Sequence, residues 1–350
     1  MTSLSREVEA SHAVCRRVAR RAGSNFYPAF LLLPGPKRRA TEALYAYMRF
    51  SDDLGDGSNP LAERRGNLAV WRAMLQEALG TADRQGEVRP TEGAQIADTP
   101  RSRSACPLPD RDHETARRRI DPFFNGEKIE GPSEISSDQE LGSAILPALV
   151  DTVDRFAIPP QYLFAVLEGV EMDLEVRTYQ TFGELAEYCQ RVASAVGLAC
   201  IHIWGFHNQS ALEPARKCGI AFQLTNILRD LQEDAARGRI YLPLTDLRQA
   251  GYSAEDLLAG RRNEGFDRVL EMEIDRARSF YHEAAELINW LEPDGRRIFG
   301  MMYSIYYRLL DRIAQRRQDL LRSRIGLGRW DKLLLALRWL FLSPQRTSLP

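Results

Sequence analysis

Apolar residues recur at intervals of three and four along almost the whole chain, while the strict alternation of half-buried strands is scarce. That periodicity restricts the chain to packed helices. It predicts helices near residues 5–22, 37–57, 60–80, 138–156, 160–177, 182–206, 211–238, 264–291 and 294–324, forming one all-α, bundle-like domain over residues 1–350. Thr181-Phe-Gly-Glu184 and Ser210-Ala-Leu-Glu213 have capping-box form ahead of apolar-periodic runs, and Pro293 separates two long periodic segments. Residues at about 81–137 break the pattern: the run is rich in Pro, Arg, Asp and Thr and reads as a polar loop or insertion.

Charge narrows the choice of partner. With 47 Lys+Arg against 48 Asp+Glu and a formal net charge of −1, the chain lacks the basic footprint of a sequence-independent nucleic-acid binder, so no nucleic-acid partner is expected. At 44% hydrophobic and 27% charged it also lacks the composition of a disordered chain. Four lysines stand among the 47 basic residues (Lys37, Lys128, Lys217, Lys332), so nearly all the cations are arginines, the side chains suited to bidentate contact with phosphate or carboxylate. The five cysteines are widely spaced without a C-x-x-C pair, which argues against a thiolate zinc site and fits a reducing cytoplasm. Val192 to Leu212 contains no charged side chain, but its apolar run falls short of the roughly 20 residues needed to span a bilayer, so a buried core helix is expected.

Two acid-rich segments carry the chemistry. In ALYAYMRFSDDLGDG, Tyr45, Arg49, Asp52 and Asp56 are spaced to share one helical face, with Asp53 beside them. Carboxylates one turn apart can share Mg²⁺, which keeps several waters and is usually completed by substrate phosphates, and Arg49 could grip the same diphosphate. Taken alone, this pattern is also what a solvated surface helix looks like. The second segment is GIAFQLTNILRDLQEDAARGRIYLP, in which Gln223, Asn226, Asp230 and Asp234 form a polar stripe backed by Ile220, Leu224, Ile227, Leu228 and Leu231. A solvated face would mix Lys and Glu; this one offers carboxylates and amides until Arg237 and Arg239. Two such stripes facing each other would enclose an acidic cavity for several Mg²⁺ ions and a diphosphate, the arrangement needed to ionise an allylic diphosphate away from water.

With these residues in view, the chain resembles the squalene/phytoene synthases, head-to-head isoprenyl diphosphate synthases with an all-α isoprenoid-synthase fold, a helical bundle around a central cavity. The resemblance runs from about Phe26 to about Leu340 outside the polar segment, and rests on Tyr45 to Asp56, on Tyr188-Cys-Gln-Arg-Val192-Ala-Ser-Ala-Val196-Gly197, and on Gln223 to Pro243. It implies that Asp52, Asp53, Asp56, Asn226, Asp230 and Asp234 bind two or three Mg²⁺ ions and that Arg49, Gln223 and Arg239 contact diphosphate. By the same likeness Tyr45, Arg49, Tyr188 and Tyr241 are the catalytic candidates, and Val192, Val196 and Gly197 shape a tunnel for an isoprenoid tail. Where many members carry a His or Ser pair, this chain has Ala22, Gly23, Ser24 and Asn25. Ser24-Asn25-Phe26 and Asp52-Asp-Leu-Gly-Asp56 lean toward hydroxysqualene-synthase-like relatives, whereas Gln223 to Pro243 leans toward phytoene and presqualene diphosphate synthases.

The reaction so implied joins two prenyl diphosphates, farnesyl diphosphate foremost, through a cyclopropyl intermediate. It ends at presqualene diphosphate or continues to squalene, hydroxysqualene, dehydrosqualene or phytoene, in hopanoid or carotenoid biosynthesis. Other enzymes of the same fold, head-to-tail prenyltransferases and terpene cyclases, and a non-enzymatic relative are the alternatives. NADPH is not indicated, since no G-x-G-x-x-G fingerprint appears, although an all-α surface can bind it without one. A basic amphipathic helix is expected at about 329–342, with Trp330, Leu333, Leu334, Leu337, Leu340 and Phe341 on one side. It suits either peripheral contact with the inner face of a membrane or closure of the core.

Overall fold

The computed structural model describes residues 3–21, 27–56, 59–80, 138–175, 178–328, 331, 334–335, 338–339 and 349–350. The polar segment at 81–137, the stretch at 22–26, and Trp330, Leu333, Leu337, Leu340 and Phe341 lie outside the described residues. Among those described, the chain is helical without a β-strand, and two isolated bridges, Thr178 to Ile240 and Phe206 to Leu291, tie loops together.

Helices α1 (Ser3–Arg21), α2 (Tyr27–Phe30) and α3 (Gly35–Asp56) lead to α4 (Leu61–Ala78), α5 (Asp138–Phe156) and α6 (Gln161–Glu175). From Ala40 to Asp52 every residue of α3 is buried, polar ones included, so it is a central helix rather than a surface one. It packs against α1, α4, α5 and α6. Pro147 inside α5 removes a backbone donor, and Ser11 of α1 enters the ladder beside it: its Oγ donates to the Ala144 carbonyl (2.7 Å) and accepts from the Ala148 amide (2.9 Å).

The second half is built around α9 (Leu212–Arg229), which lies between α8 (Ala195–Trp204), α13 (Glu264–Ala284) and α15 (Pro293–Gln315). Helix α7 (Phe182–Cys189) runs into α8 through a π-helical turn, Gln190–Ser194. Two glycines make room for that turn. A Cβ on Gly219 of α9 would stand 2.4 Å from Ser194 Cα, and one on Gly169 of α6 would stand 2.5 Å from Val192 Cγ1. Helices α6 and α8 touch each other, and α3 contacts both, while α8 also contacts α9, so they bridge the two central helices.

The Thr181 capping box forms with a shift: its hydroxyl accepts from the Glu184 amide (3.3 Å), but the Glu184 carboxylate reaches the Gln180 amide (2.7 Å) rather than that of Thr181. The Ser210 box does not form. Asn208 caps this start instead, accepting from the Ser210 amide (2.9 Å), because a 3₁₀ turn precedes α9. The expected helix 211–238 is interrupted: α9 ends at Arg229, Asp230 takes φ −102° and ψ 12°, and α10 (Leu231–Ala236) follows. Short helices α11 (Leu244–Gln249) and α12 (Ala254–Leu258) were not visible as periodic runs, and α14 (Leu287–Trp290) is split from α13. No described helix is long and apolar enough to cross a membrane.

The described part of the tail closes onto the bundle. Trp339 is fully buried against Gly300 of α15, its Nε1 donating to Ser304 Oγ (3.0 Å), with Leu335 buried and Leu334 64% exposed.

Candidate active site

The first acidic motif sits at the C-terminal end of α3, where carboxylates oppose the helix dipole and need nearby cations. Arg49 supplies one. Its Nη2 and Nε donate to the two oxygens of Asp53 (2.8 and 3.3 Å), and its Nη1 is 4.0 Å from Asp52 Oδ2. Arg49 and Asp52 are both 4% exposed, so this pairing is what makes their burial tolerable. Asp56 Oδ2 is buried without a hydrogen-bond partner in the structure.

The second motif crosses the break at Asp230 without losing its register, because the Asp230 amide still donates to the Asn226 carbonyl and the Asp234 amide to that of Asp230 (both 2.9 Å). Asp230 is clamped. Arg229 donates through Nε and Nη2 (2.9 and 2.5 Å), and Arg324, from the segment after α15, donates through Nε (2.9 Å). Burial pushes the Asp230 carboxyl up, but the two guanidiniums outweigh it and hold it below the usual carboxylate range. Asn226 Nδ2 reaches Gln223 Oε1 at 3.5 Å, while Asn226 Oδ1 is buried without a partner. Asp234 is also buried.

A buried aspartate that the motifs did not predict lies between three tyrosines. Asp173 of α6 accepts hydrogen bonds from Tyr188 Oη (2.8 Å) and Tyr241 Oη (2.7 Å). The rings of Tyr179, Tyr188 and Tyr241 lie 5.4–5.8 Å apart, centroid to centroid. Burial, then the Asp173 charge, keeps Tyr188 well above the ordinary phenol value and hence protonated. The signal for Asp173 was available in the sequence: it follows Val166 and Val170 by helical spacing, an acid on an apolar face, whereas Glu168 and Glu175 lie exposed.

The turn after α10 aims Arg239 at this cluster. Gly238 adopts φ +68°, its amide donating to the Ala235 carbonyl and that of Arg239 to the Asp234 carbonyl (both 2.9 Å), the paired bonds of a Schellman turn. The loop is then pinned: the Leu244 amide donates to the Tyr179 carbonyl (2.9 Å) and that of Thr245 to the Gln180 carbonyl (3.0 Å). Burial alone would lower the Arg239 guanidinium, but Tyr241, Asp173 and Asp56 outweigh it and the net shift is upward. Its Nε is buried without a partner.

The structure thus gathers Asp56, Asp173, Tyr188, Arg239 and Tyr241, pairs Arg49 with Asp52 and Asp53, and sets Gln223 beside Asn226. Tyr45 is buried edge-on against Phe30 (5.9 Å), Val192 packs on Gly169, and Gly197 faces the Ala215 carbonyl, 3.5 Å from a Cβ placed there; Val196 is buried. A groove of about 660 Å³ between α1 and α5, lined by Glu7, Ser11, Glu140 and Pro147, contains none of these residues. Among the described residues no three acidic, histidine or cysteine side chains converge into a ready-made metal cage. The donors present are nevertheless oxygens, two of them buried and unpartnered, and Mg²⁺ is usually held by one or two carboxylates together with substrate phosphates. The set fits a metal that is completed by a diphosphate.

The squalene/phytoene synthase family model matches residues 19–331. The chain belongs to the squalene/phytoene synthase family. Phytoene synthase of Arthrospira platensis is 32% identical over 337 residues, covering 93% of this chain and 90% of that protein. The 15-cis-phytoene synthase of Synechococcus elongatus (strain ATCC 33912 / PCC 7942 / FACHB-805) is 30% identical over 331 residues, covering 91% and 89%. Among solved structures, squalene synthase HpnC from Alicyclobacillus acidocaldarius superposes with a TM-score of 0.67 at 23% identity, covering 88% of this chain and 95% of that one. A dehydrosqualene synthase in complex with ligand superposes with the same TM-score and identity, covering 96% of both chains. These likenesses identify the isoprenoid-synthase fold of a prenyl-transferring enzyme.

Proposed function

We propose that this squalene/phytoene synthase family member joins two allylic prenyl diphosphates head to head, with farnesyl diphosphate as the expected substrate. One molecule loses diphosphate from C1, the double bond of the second attacks that carbon, and loss of a proton closes a cyclopropane. With farnesyl diphosphate the product is presqualene diphosphate, released with inorganic diphosphate and one proton. The observation that supports the reading is the loop carrying Arg239 and Tyr241: it is pinned to the tyrosine cluster by the Tyr241–Asp173 and Leu244–Tyr179 hydrogen bonds, and its Arg239 charge is stabilised by Asp173 and by Asp56 of the first motif.

Each group has a part in this reading. Magnesium held by Asp52, Asp56, Asn226, Asp230 and Asp234, with Asp53 beside them, would neutralise the leaving diphosphate. Arg49, Gln223 and Arg239 orient the phosphates. The tyrosine rings offer π faces to a developing carbocation, and Asp173, hydrogen-bonded by two phenols, is the carboxylate to which the proton lost on ring closure can be relayed through them, each phenol regaining the proton it passes on. Burial of this cluster keeps water from the cation.

Relatives named phytoene synthase favour a second substrate, geranylgeranyl diphosphate. Purified protein given Mg²⁺ with either diphosphate, with and without NADPH, and analysed by mass spectrometry before and after phosphatase treatment tests both. A cyclopropyl diphosphate or its onward hydrocarbon is expected. Recovery of a head-to-tail or cyclic terpene, or of unreacted substrate from both, would overturn the reading.

A further inference from the structure

Arg276, midway along α13, belongs to none of the motifs, yet it stands where two stretches of the site are joined. The loop carrying Arg239 and Tyr241 leads into α11, and two backbone bonds hold its end to the chain just before α7: the Leu244 amide donates to the Tyr179 carbonyl (2.9 Å) and the Thr245 amide to the Gln180 carbonyl (3.0 Å). Two such bonds between loops, without further support, would open readily.

Arg276 brackets this join. Its Nη1 donates to Oδ2 of Asp246 (2.7 Å), the residue after Thr245, while its guanidinium carbon lies 4.3 Å from the ring centroid of Phe182, two residues after Gln180. One side chain thus grips both segments, the first by an ion pair and the second through the face of an aromatic ring. Glu273, one turn earlier on α13, accepts from the same Nη1 (2.5 Å) and fixes the guanidinium in that pose. Glu273 and Asp246 are both buried, so these ion pairs are little screened by solvent. A lysine would supply the charge, but a planar guanidinium can stack on a ring while donating in its own plane. The two segments so joined bring Tyr179 and Tyr241 face to face beside Asp173, with ring centroids 5.8 Å apart.

We infer that Arg276 is a positioning residue of the active site, acting through Asp246 and Phe182 to hold the Arg239–Tyr241 loop against the tyrosine cluster. The inference rests on the proposed function for what the loop does, but not for whether Arg276 holds it. Hydrogen exchange of the full chain, followed by mass spectrometry on peptides spanning 240–247, should be about tenfold faster in Arg276→Gln, against less than about twofold in peptides of α15. Arg278→Gln, which removes an arginine of the same helix paired with Asp275 (3.3 Å), should exchange as the parent does. In turnover of farnesyl diphosphate, Arg276→Gln should lower kcat/KM about tenfold in the parent but less than about threefold in Tyr241→Phe, whose ring no longer reaches Asp173 through a hydroxyl. A merely structural role would lower both backgrounds by the same factor. If Arg276→Gln does not fold, Phe182→Leu carries the test, since it removes the stack and leaves both ion pairs; severalfold faster exchange over 240–247 is expected. Exchange over 240–247 within twofold of the parent, an equal rise in α15, or equal losses of kcat/KM in the two backgrounds overturns the inference. Failure of the parent to make a head-to-head product would instead remove the proposed function, while the exchange comparison would still decide the role of Arg276.

Discussion

Removing the Asp173 carboxylate is the perturbation from which most can be learned. The group is 5% exposed and accepts from two phenols, Tyr188 and Tyr241, that are 0% and 5% exposed, so Asp173→Ala strands two buried hydroxyls with no access to water. A buried donor left unmade costs about 1–3 kcal/mol, which puts the substitution near 4 kcal/mol in all. Asp173→Asn keeps one acceptor oxygen and should cost about half as much, roughly 2 kcal/mol. Urea unfolding of Asp173→Ala, Tyr188→Phe and the double variant closes a cycle in which a coupling of about 0.5–3 kcal/mol is expected, because Tyr188→Phe removes one of the hydroxyls that Asp173→Ala strands. In turnover, Asp173→Asn should lower kcat about 10²-fold through misplacement of the two tyrosines, with pyrophosphate affinity little changed. A cost below 1 kcal/mol for Asp173→Ala, or strict additivity with Tyr188→Phe, would show that these hydrogen bonds do not organise the tyrosine cluster.

Three further outcomes follow from other parts of the molecule. Asp52→Ala and Asp230→Ala should each reduce diphosphate release by more than about 10²-fold in a pyrophosphate-coupled assay, and retained turnover in either would sink the metal assignment. Burial pushes the Glu273 carboxyl up to about 7 despite Arg276, so between the ordinary Glu value and that point the folded chain holds a proton the unfolded chain has lost. Stability should therefore fall by about 3 kcal/mol as pH rises through that window and level off above it, whereas Glu273→Gln should show none of that slope; parallel urea-midpoint curves from pH 5 to 8 would refute this. Gly219→Ala forces a methyl to 2.4 Å from Ser194 Cα and should cost about 1–3 kcal/mol in thermal unfolding. Gly197→Ala, with its nearest neighbour at 3.5 Å, should stay within about 0.5 kcal/mol.

Local periodicity carried the helical class and most long helices, including the end of α5 at Phe156, because an apolar stripe at helical spacing has few other ways to be buried. It could not foresee the break at Asp230, where the stripe Gln223, Asn226, Asp230, Asp234 keeps its hydrogen-bond register while the backbone leaves helical geometry. Nor could it supply Arg324, which meets Asp230 across 94 residues of chain, or the Asn208 cap that displaces the Ser210 box. Such partners are set by packing, and no local pattern encodes them. Asp173 differs, since an acid in line with Val166 and Val170 is a local anomaly that was there to be read.

The same contrast explains how a near-neutral chain can present an anion site. Asp52, Asp53 and Asp230 lie against arginines of their own chain, so the acidic stripes are not stores of free negative charge. On the proposed reading, the carboxylates turn to metal and the arginines to phosphate as Mg²⁺-diphosphate enters, so substrate capture exchanges one set of ion pairs for another. Such an exchange avoids the several kcal/mol of desolvation that each unpaired buried ion would cost. It follows that replacing Arg229 or Arg324 by glutamine should strengthen Mg²⁺ binding in the absence of diphosphate while weakening capture of the Mg²⁺-diphosphate complex. Opposite signs in those two titrations are the signature of exchanged partners; a loss in both would mean that the arginines serve only to hold Asp230 in place.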